Sequence, residues 1–170
     1  PAMRGAAQLR NAAAAIAALR ALDAPVSDPA IARGVAAARV PGRLEAFELD
    51  GVEVMVDVGH NPQAAREVAA WLHSAPVRGS TRVVLAALAD KDVAGVVDAL
   101  SGQVQDWHLA GLEHVARGLA VDALAGRLAG TAAASAARHA SVPEAIRAAR
   151  AGSSAGDRIV VLGSFHTAAA

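Results

Sequence analysis

From Val52 onward the chain alternates short apolar runs with segments of helical periodicity, and this alternation limits the fold more than any other feature. VEVMVDV (52–58), RVVLAAL (82–88), WHLAGL (107–112) and RIVVLGS (158–164) are near-continuous apolar runs, as expected of strands buried on both faces. A shorter strand is expected at 133–137. Helices are expected between them. Asn61 and Pro62 suit a helix cap and first position, with Val68, Trp71 and Leu72 as the apolar stripe. Asp92 opens a helix bearing Val93, Val96, Val97 and Leu100 at the spacing of one helical face. Val121, Leu124 and Leu128 mark another, Ser141 and Glu144 form a capping box for the next, and FHTAAA (165–170) begins a last one, cut off at Ala170. Repeated strand–helix–strand units imply a mostly parallel α/β sheet with right-handed crossovers and helices on both faces. RLEAFEL (43–49) alternates in strand fashion and meets VEVMVDV through Asp50-Gly51, a hairpin turn, so one edge strand is antiparallel.

Upstream, NAAAAIAALRAL (11–22) reads as a helix with Asn11 at its start. VSDPAIARGVAAARV (26–40) reads as a second, with Asp28 as cap and Pro29 at the first position, ended by Pro41-Gly42. The 16 basic and 16 acidic residues cancel, and no basic stripe exists. Nucleic acid and anionic membrane are therefore poor partners. No apolar run approaches the ~18 residues a membrane span needs, and no signal peptide is evident. There is no cysteine, so disulfides and thiolate metal sites are excluded. A cytoplasmic protein is expected. Lys91 is the only lysine and Asp92 follows it, which excludes a P-loop within this sequence. No glycine fingerprint of a dinucleotide fold follows a strand, which disfavours an NAD-binding domain.

In open sheets of this kind ligands sit at the carboxyl ends of the strands. Here those ends carry Asp57-Val58-Gly59-His60-Asn61, Ala89-Asp90-Lys91-Asp92 and Gly163-Ser164. Asp57 suits a ribose or an arginine, and equally a turn. His60 stands before a helix N-terminus, which favours anions, yet a lone turn histidine is more often structural or solvated. Arg43 opens a strand after a glycine. Its fork suits phosphate, and a surface ion pair explains it equally well. Ser164 offers its hydroxyl and amide to a carboxylate, or caps the last helix. The histidines have no zinc spacing, and no metal ligands are assigned.

Together VPGRLE (40–45), VDVGHNPQAA (56–65), ALADKD (87–92) and LGSFHT (162–167), in this order, resemble the C-terminal domain of the folylpolyglutamate synthase and dihydrofolate synthase family within the Mur ligase superfamily. RGAAQLRNAAAAIAAL (4–19) resembles the end of that family's central ATPase domain. The resemblance implies a Rossmann-like sheet of the Mur ligase C-terminal type over 39–170, preceded by the last helices of the central domain and a linker over 1–38. It implies an ATP-dependent ligase that activates a carboxylate as an acyl phosphate and joins it to L-glutamate. The acceptor is dihydropteroate or a folyl-glutamate, and ATP and Mg2+ are required. Asn11 is implied near the adenine, Arg43 at the nucleotide phosphates and Asp57 at the ribose. His60 and Ser164 are implied near the incoming glutamate and the acyl-phosphate centre. The family's P-loop, magnesium ligands and modified lysine have no counterpart here, so the chain is expected to be a piece of the enzyme. Its partner is the N-terminal and central ATPase part, without which it is not catalytically competent. A peptidoglycan-branch Mur ligase domain and a non-catalytic α/β interaction module are the alternatives.

Overall fold

The computed structural model describes residues 3–22 and 25–169. Two helices, α1 (Ala6–Ala21) and α2 (Asp28–Ala37), lead into six strands: β1 (Glu45–Leu49), β2 (Val52–Asp57), β3 (Thr81–Leu85), β4 (Asp106–Ala110), β5 (Ala137–His139) and β6 (Arg158–Leu162). They form one sheet in the order β1-β2-β6-β3-β4-β5. Only the β1–β2 hairpin is antiparallel, as Asp50-Gly51 requires; the other pairings are parallel. The intervening helices are α3 (Pro62–Ser74), α4 (Val93–Leu100), α5 (Val121–Arg127), α6 (Val142–Ala151) and α7 (Phe165–Ala168).

Successive strand residues point to opposite faces, and the core divides accordingly. Met55, Val83, Leu85, Trp107, Leu109, Val160 and Leu162 pack with Val68 and Leu72 of α3, Val96 and Val97 of α4 and Leu124 of α5. Val84, Ala86, Ala110, Ile159 and Val161 pack with Val142, Ala145 and Ala149 of α6. The near-continuous apolar strands and the helices on both faces are therefore the same fact seen twice.

Side-chain caps fix where the helices start. Asn61 Oδ1 accepts the Ala64 N–H at 2.8 Å. Asp92 Oδ1 accepts that of Gly95 at 2.9 Å. Ser141 Oγ accepts the Glu144 N–H, while Glu144 Oε2 accepts the N–H of Ala140, one residue before the cap. Several boundaries differ from expectation. α1 begins at Ala6, not Asn11, because 6–10 are good helix formers and Gly5, at φ 89°, stops the helix before them. Asn11 is thus mid-helix. The residue flanking α2 is Ser27, not Asp28, and its side chain makes no cap bond. α2 stops at Ala37 because Ala38 is already out of helical geometry, ahead of Pro41. β3 ends at Leu85 and β6 at Leu162, short of 88 and 164. The chain turns at both exits, and Leu88 instead bridges Gly118. β5 lies at Ala137–His139, not 133–137, because successive turns occupy 131–136 and pairing with β4 sets the strand. Ala170, the end of the expected last helix, lies outside the described residues.

A buried histidine secures the short edge strand. His108 Nδ1 lies 3.1 Å from His139 Nε2, and the rings stack with centroids 5.3 Å apart. Asp106 Oδ2 is 3.3 Å from His108 Nε2. Burial holds the His108 pKa below the ordinary histidine value, with His139 and Arg82 adding to it and Asp106 opposing. On the opposite side of the molecule, buried Arg158 binds Glu53 at 2.7 Å and lies 4.6 Å over the Trp71 ring. Arg4 reaches the same glutamate at 3.1 Å, and Arg10 pairs with Glu67, so α1 is tied to the β2–α3 unit.

Candidate functional site

The sheet register brings the strand exits together: Asp57 lies beside Leu162, and Leu162 beside Leu85. Around Asp57 the backbone is unusual. Gly42 has φ 68° and Leu44 φ 46°, so Arg43 stands between two left-handed residues. Left-handed leucine is strained. Asp57 holds that strain in place. Its Oδ2 accepts the Leu44 N–H at 3.0 Å and its Oδ1 that of Gly59 at 2.7 Å. The Val58 N–H donates to Gly42 O at 2.8 Å, and a Cβ at Gly42 would lie 2.5 Å from Val58 Cγ1. Burial pushes the Asp57 pKa up, against the two backbone N–H groups and the Arg43 charge.

Arg43 itself is half-buried. Among the described residues its guanidinium makes no hydrogen bond or ion pair. It lines a cavity of about 530 Å³ between α1 and α2, together with Asn11, Ile16, Ile31 and Val35. Asn11 is exposed, and its Nδ2 donates to Gln8 Oε1 at 3.2 Å. The fold therefore brings Asn11 and Arg43 to one cavity and joins Asp57 to Arg43 through the backbone. His60 and Ser164 do not line that cavity. His60 sits just before α3 with Nδ1 3.1 Å from Val58 O. Ser164 is buried at the β6 exit, where its Oγ accepts the Thr167 N–H at 3.0 Å and caps α7.

The β3 exit is held from two sides. The Ala89 N–H donates to Arg117 O at 2.8 Å, and Arg127 Nη1 donates to Ala89 O at 2.5 Å. Lys91 bonds Asp90 at 2.8 Å and holds its carboxyl below the ordinary value, with Arg117 adding to this. Thr167 donates to Ala86 O at 3.0 Å. Arg117, Arg127 and Thr167 are the residues the sequence reading missed. Thr167, three after a capping serine, carried a signal; the two arginines carried none.

The cavity is lined mainly by aliphatic side chains, with Gln8, Asn11 and Arg43 as its polar members. Among the described residues no three His, Asp or Glu side chains converge to hold a metal ion. No described helix is long and apolar enough to cross a membrane.

An open parallel sheet with an arginine turn clamped at one strand exit defines a class, and the chain belongs to the Mur ligase, glutamate ligase domain family, whose model matches residues 42–165. The dihydrofolate synthase/folylpolyglutamate synthase of Escherichia coli (strain K12) is 39% identical over 159 residues, covering 94% of this chain and 36% of that protein. The E. coli FolC structure with DHPP and ADP superposes with TM-score 0.82 at 39% identity, covering 94% of this chain and 37% of that one. A bifunctional folylpolyglutamate synthase/dihydrofolate synthase solved with Mn, AMPPNP and L-glutamate gives TM-score 0.84 at 38% identity, covering 95% of this chain and 38% of that one. The chain thus spans little more than a third of the length of these relatives.

Proposed function

We propose that the chain is the C-terminal part of a cytoplasmic ATP- and Mg2+-dependent ligase that adds L-glutamate to dihydropteroate, to folyl-glutamates, or to both. Residues 1–38 end the central ATPase domain and residues 39–170 form the glutamate-ligase domain. The P-loop and magnesium ligands then belong to the remainder of the enzyme. The observation that supports this reading is Arg43, held in a strained turn by Asp57 and bordering, with Asn11, the cavity between α1 and α2. Strain of this kind is retained where function uses it.

The division of labour follows from charge. An acceptor carboxylate oxygen attacks the γ-phosphorus and releases ADP. Glutamate's amine then attacks the acyl carbon, releasing phosphate and a proton. Negative charge spreads over the phosphoryl oxygens as the first bond forms, and positioned cations stabilise it. Arg43 supplies one such cation when the domains close. Asp57 keeps a lone pair on each oxygen for ribose hydroxyls, and Asn11 borders the adenine. His60 and Ser164 border the glutamate side, where the exits of β2 and β6 adjoin.

The test is ATP-dependent glutamate incorporation by the whole enzyme, with dihydropteroate, a folyl-glutamate and a UDP-muramoyl peptide as competing acceptors. The folate acceptors alone are expected to react. Arg43→Ala should lower kcat by about 100-fold or more, the range for losing one transition-state donor. Turnover of the muramoyl acceptor, or an unimpaired Arg43 variant, contradicts the reading.

A further inference from the structure

We propose that Thr167 is a positioning residue for the glutamate side of the site, and that the Ser164 hydroxyl works through it and does not donate to substrate. This rests on the ligase reading above. Thr167 Oγ1 lies 3.0 Å from Ala86 O. A carbonyl only accepts, so the threonine proton goes there. Ser164 Oγ lies 2.8 Å from the same Thr167 oxygen, so the serine supplies the proton of that bond. Ser164 Oγ also accepts the Thr167 N–H at 3.0 Å. The serine's only donor is therefore used, and what remains on its oxygen is acceptor capacity. Serine and threonine are 4% and 2% exposed, so water does not compete for these bonds. An anionic carboxylate needs donors, and this hydroxyl has none left to offer.

The relay Ser164 → Thr167 → Ala86 O joins two strand exits. Ala86 N–H donates back to Leu162 O at 3.3 Å. Gly163, at φ 136°, passes so close that a Cβ there would lie 1.8 Å from Ala86 O. The β6 exit carries Gly163 to His166 and adjoins Asp57; the β3 exit leads to Lys91. Thr167 fixes the spacing between them. Misplacement by about 1 Å at a reacting centre costs on the order of 100-fold in rate, which is why a hydroxyl that never meets substrate matters to turnover.

Kinetics of the whole enzyme test the relay. Thr167→Val keeps the shape and removes both hydroxyl bonds; Thr167→Ser keeps them. Thr167→Val should raise KM for glutamate and lower kcat, each by about 10-fold, with AMPPNP affinity changed less than about twofold. Thr167→Ser should recover to within about threefold. Ser164→Ala leaves Ala86 O bonded to Thr167, so it should lose less than about 10-fold, whereas loss of a direct transition-state donor costs about 100-fold or more. The double variant should be no worse than Thr167→Val. A Thr167→Val enzyme with wild-type kinetics overturns the proposal, as does a Ser164→Ala loss exceeding that of Thr167→Val. Should Thr167→Val fail to fold, the Ser164→Ala magnitude decides alone. A wild-type enzyme that does not incorporate glutamate instead overturns the ligase reading, so the two failures are separable.

Discussion

Gly42, Leu44 and Asp57 make one unit, which sets the backbone on either side of Arg43. The D-x-x-H-N-P run marked Asp57 as a strand-end carboxylate, and Gly42 as a breaker. Nothing local foretold that Leu44 would be left-handed, because the partner of its N–H, Asp57, lies thirteen residues away. Gly42→Ala places a methyl 2.5 Å from Val58 Cγ1 at φ 68°. We expect it to destabilise the chain by about 1–3 kcal/mol, measured by urea unfolding. Asp57 has a second signature. Its pKa is raised chiefly by burial, so its protonated form favours the fold. That contribution is present at low pH and lost as pH rises through the folded value. Carboxyl 13C titration should find Asp57 above the ordinary ~3.9 of aspartate, and a value at or below it contradicts the burial argument.

At the scale of elements, the long apolar strands and the capped helices were readable because each is specified by its own residues. The 137–139 strand was not. Ala137-Arg138-His139 has no strand pattern, and its place comes from pairing with β4 and from the His108–His139 contact. That contact makes the edge pH-sensitive. Burial, His139 and Arg82 depress the His108 pKa while Asp106 opposes them. A depressed histidine pKa contributes stability above the unfolded value of ~6.5 and loses it as pH falls below that toward the folded value. We expect the protection factors of the 137–139 amides to fall below pH ~6.5, and His108→Gln to flatten the pH dependence of stability. Gly163→Ala belongs to the same scale. A Cβ 1.8 Å from Ala86 O at φ 136° should separate the β6 and β3 exits at a cost of about 3 kcal/mol or more, by thermal unfolding.

Across the whole molecule the chain divides by burial. α3, α4, α5 and α6 bury apolar faces on the sheet, whereas α1 and α2 bury no residue fully. Leu9 and Leu22 are 61% and 62% exposed, and the cavity between the two helices is lined by Asn11 and Arg43. Exposed apolar helices beside such a cavity mark a surface built to be covered. The change from alanine-rich helix to alternating strand before β1 was legible in the sequence. The cavity was not, since it needs α1 folded back by the Arg4–Glu53 and Arg10–Glu67 pairs. Exposed pairs contribute only about 0–1 kcal/mol each, so amides of α1 should exchange well before those of β6, measurable by hydrogen exchange.

The central claim is that this domain presents Arg43 to a nucleotide. An NMR titration of the chain with AMPPNP and magnesium, beside an Arg43→Ala variant, tests it most directly. We expect weak binding, in the millimolar range of a site of few contacts, with amide shifts near Asn11, Arg43 and Asp57 that the variant loses. Shifts of equal size in the variant, or shifts confined to regions remote from the Gly42–Leu44 turn, would contradict it.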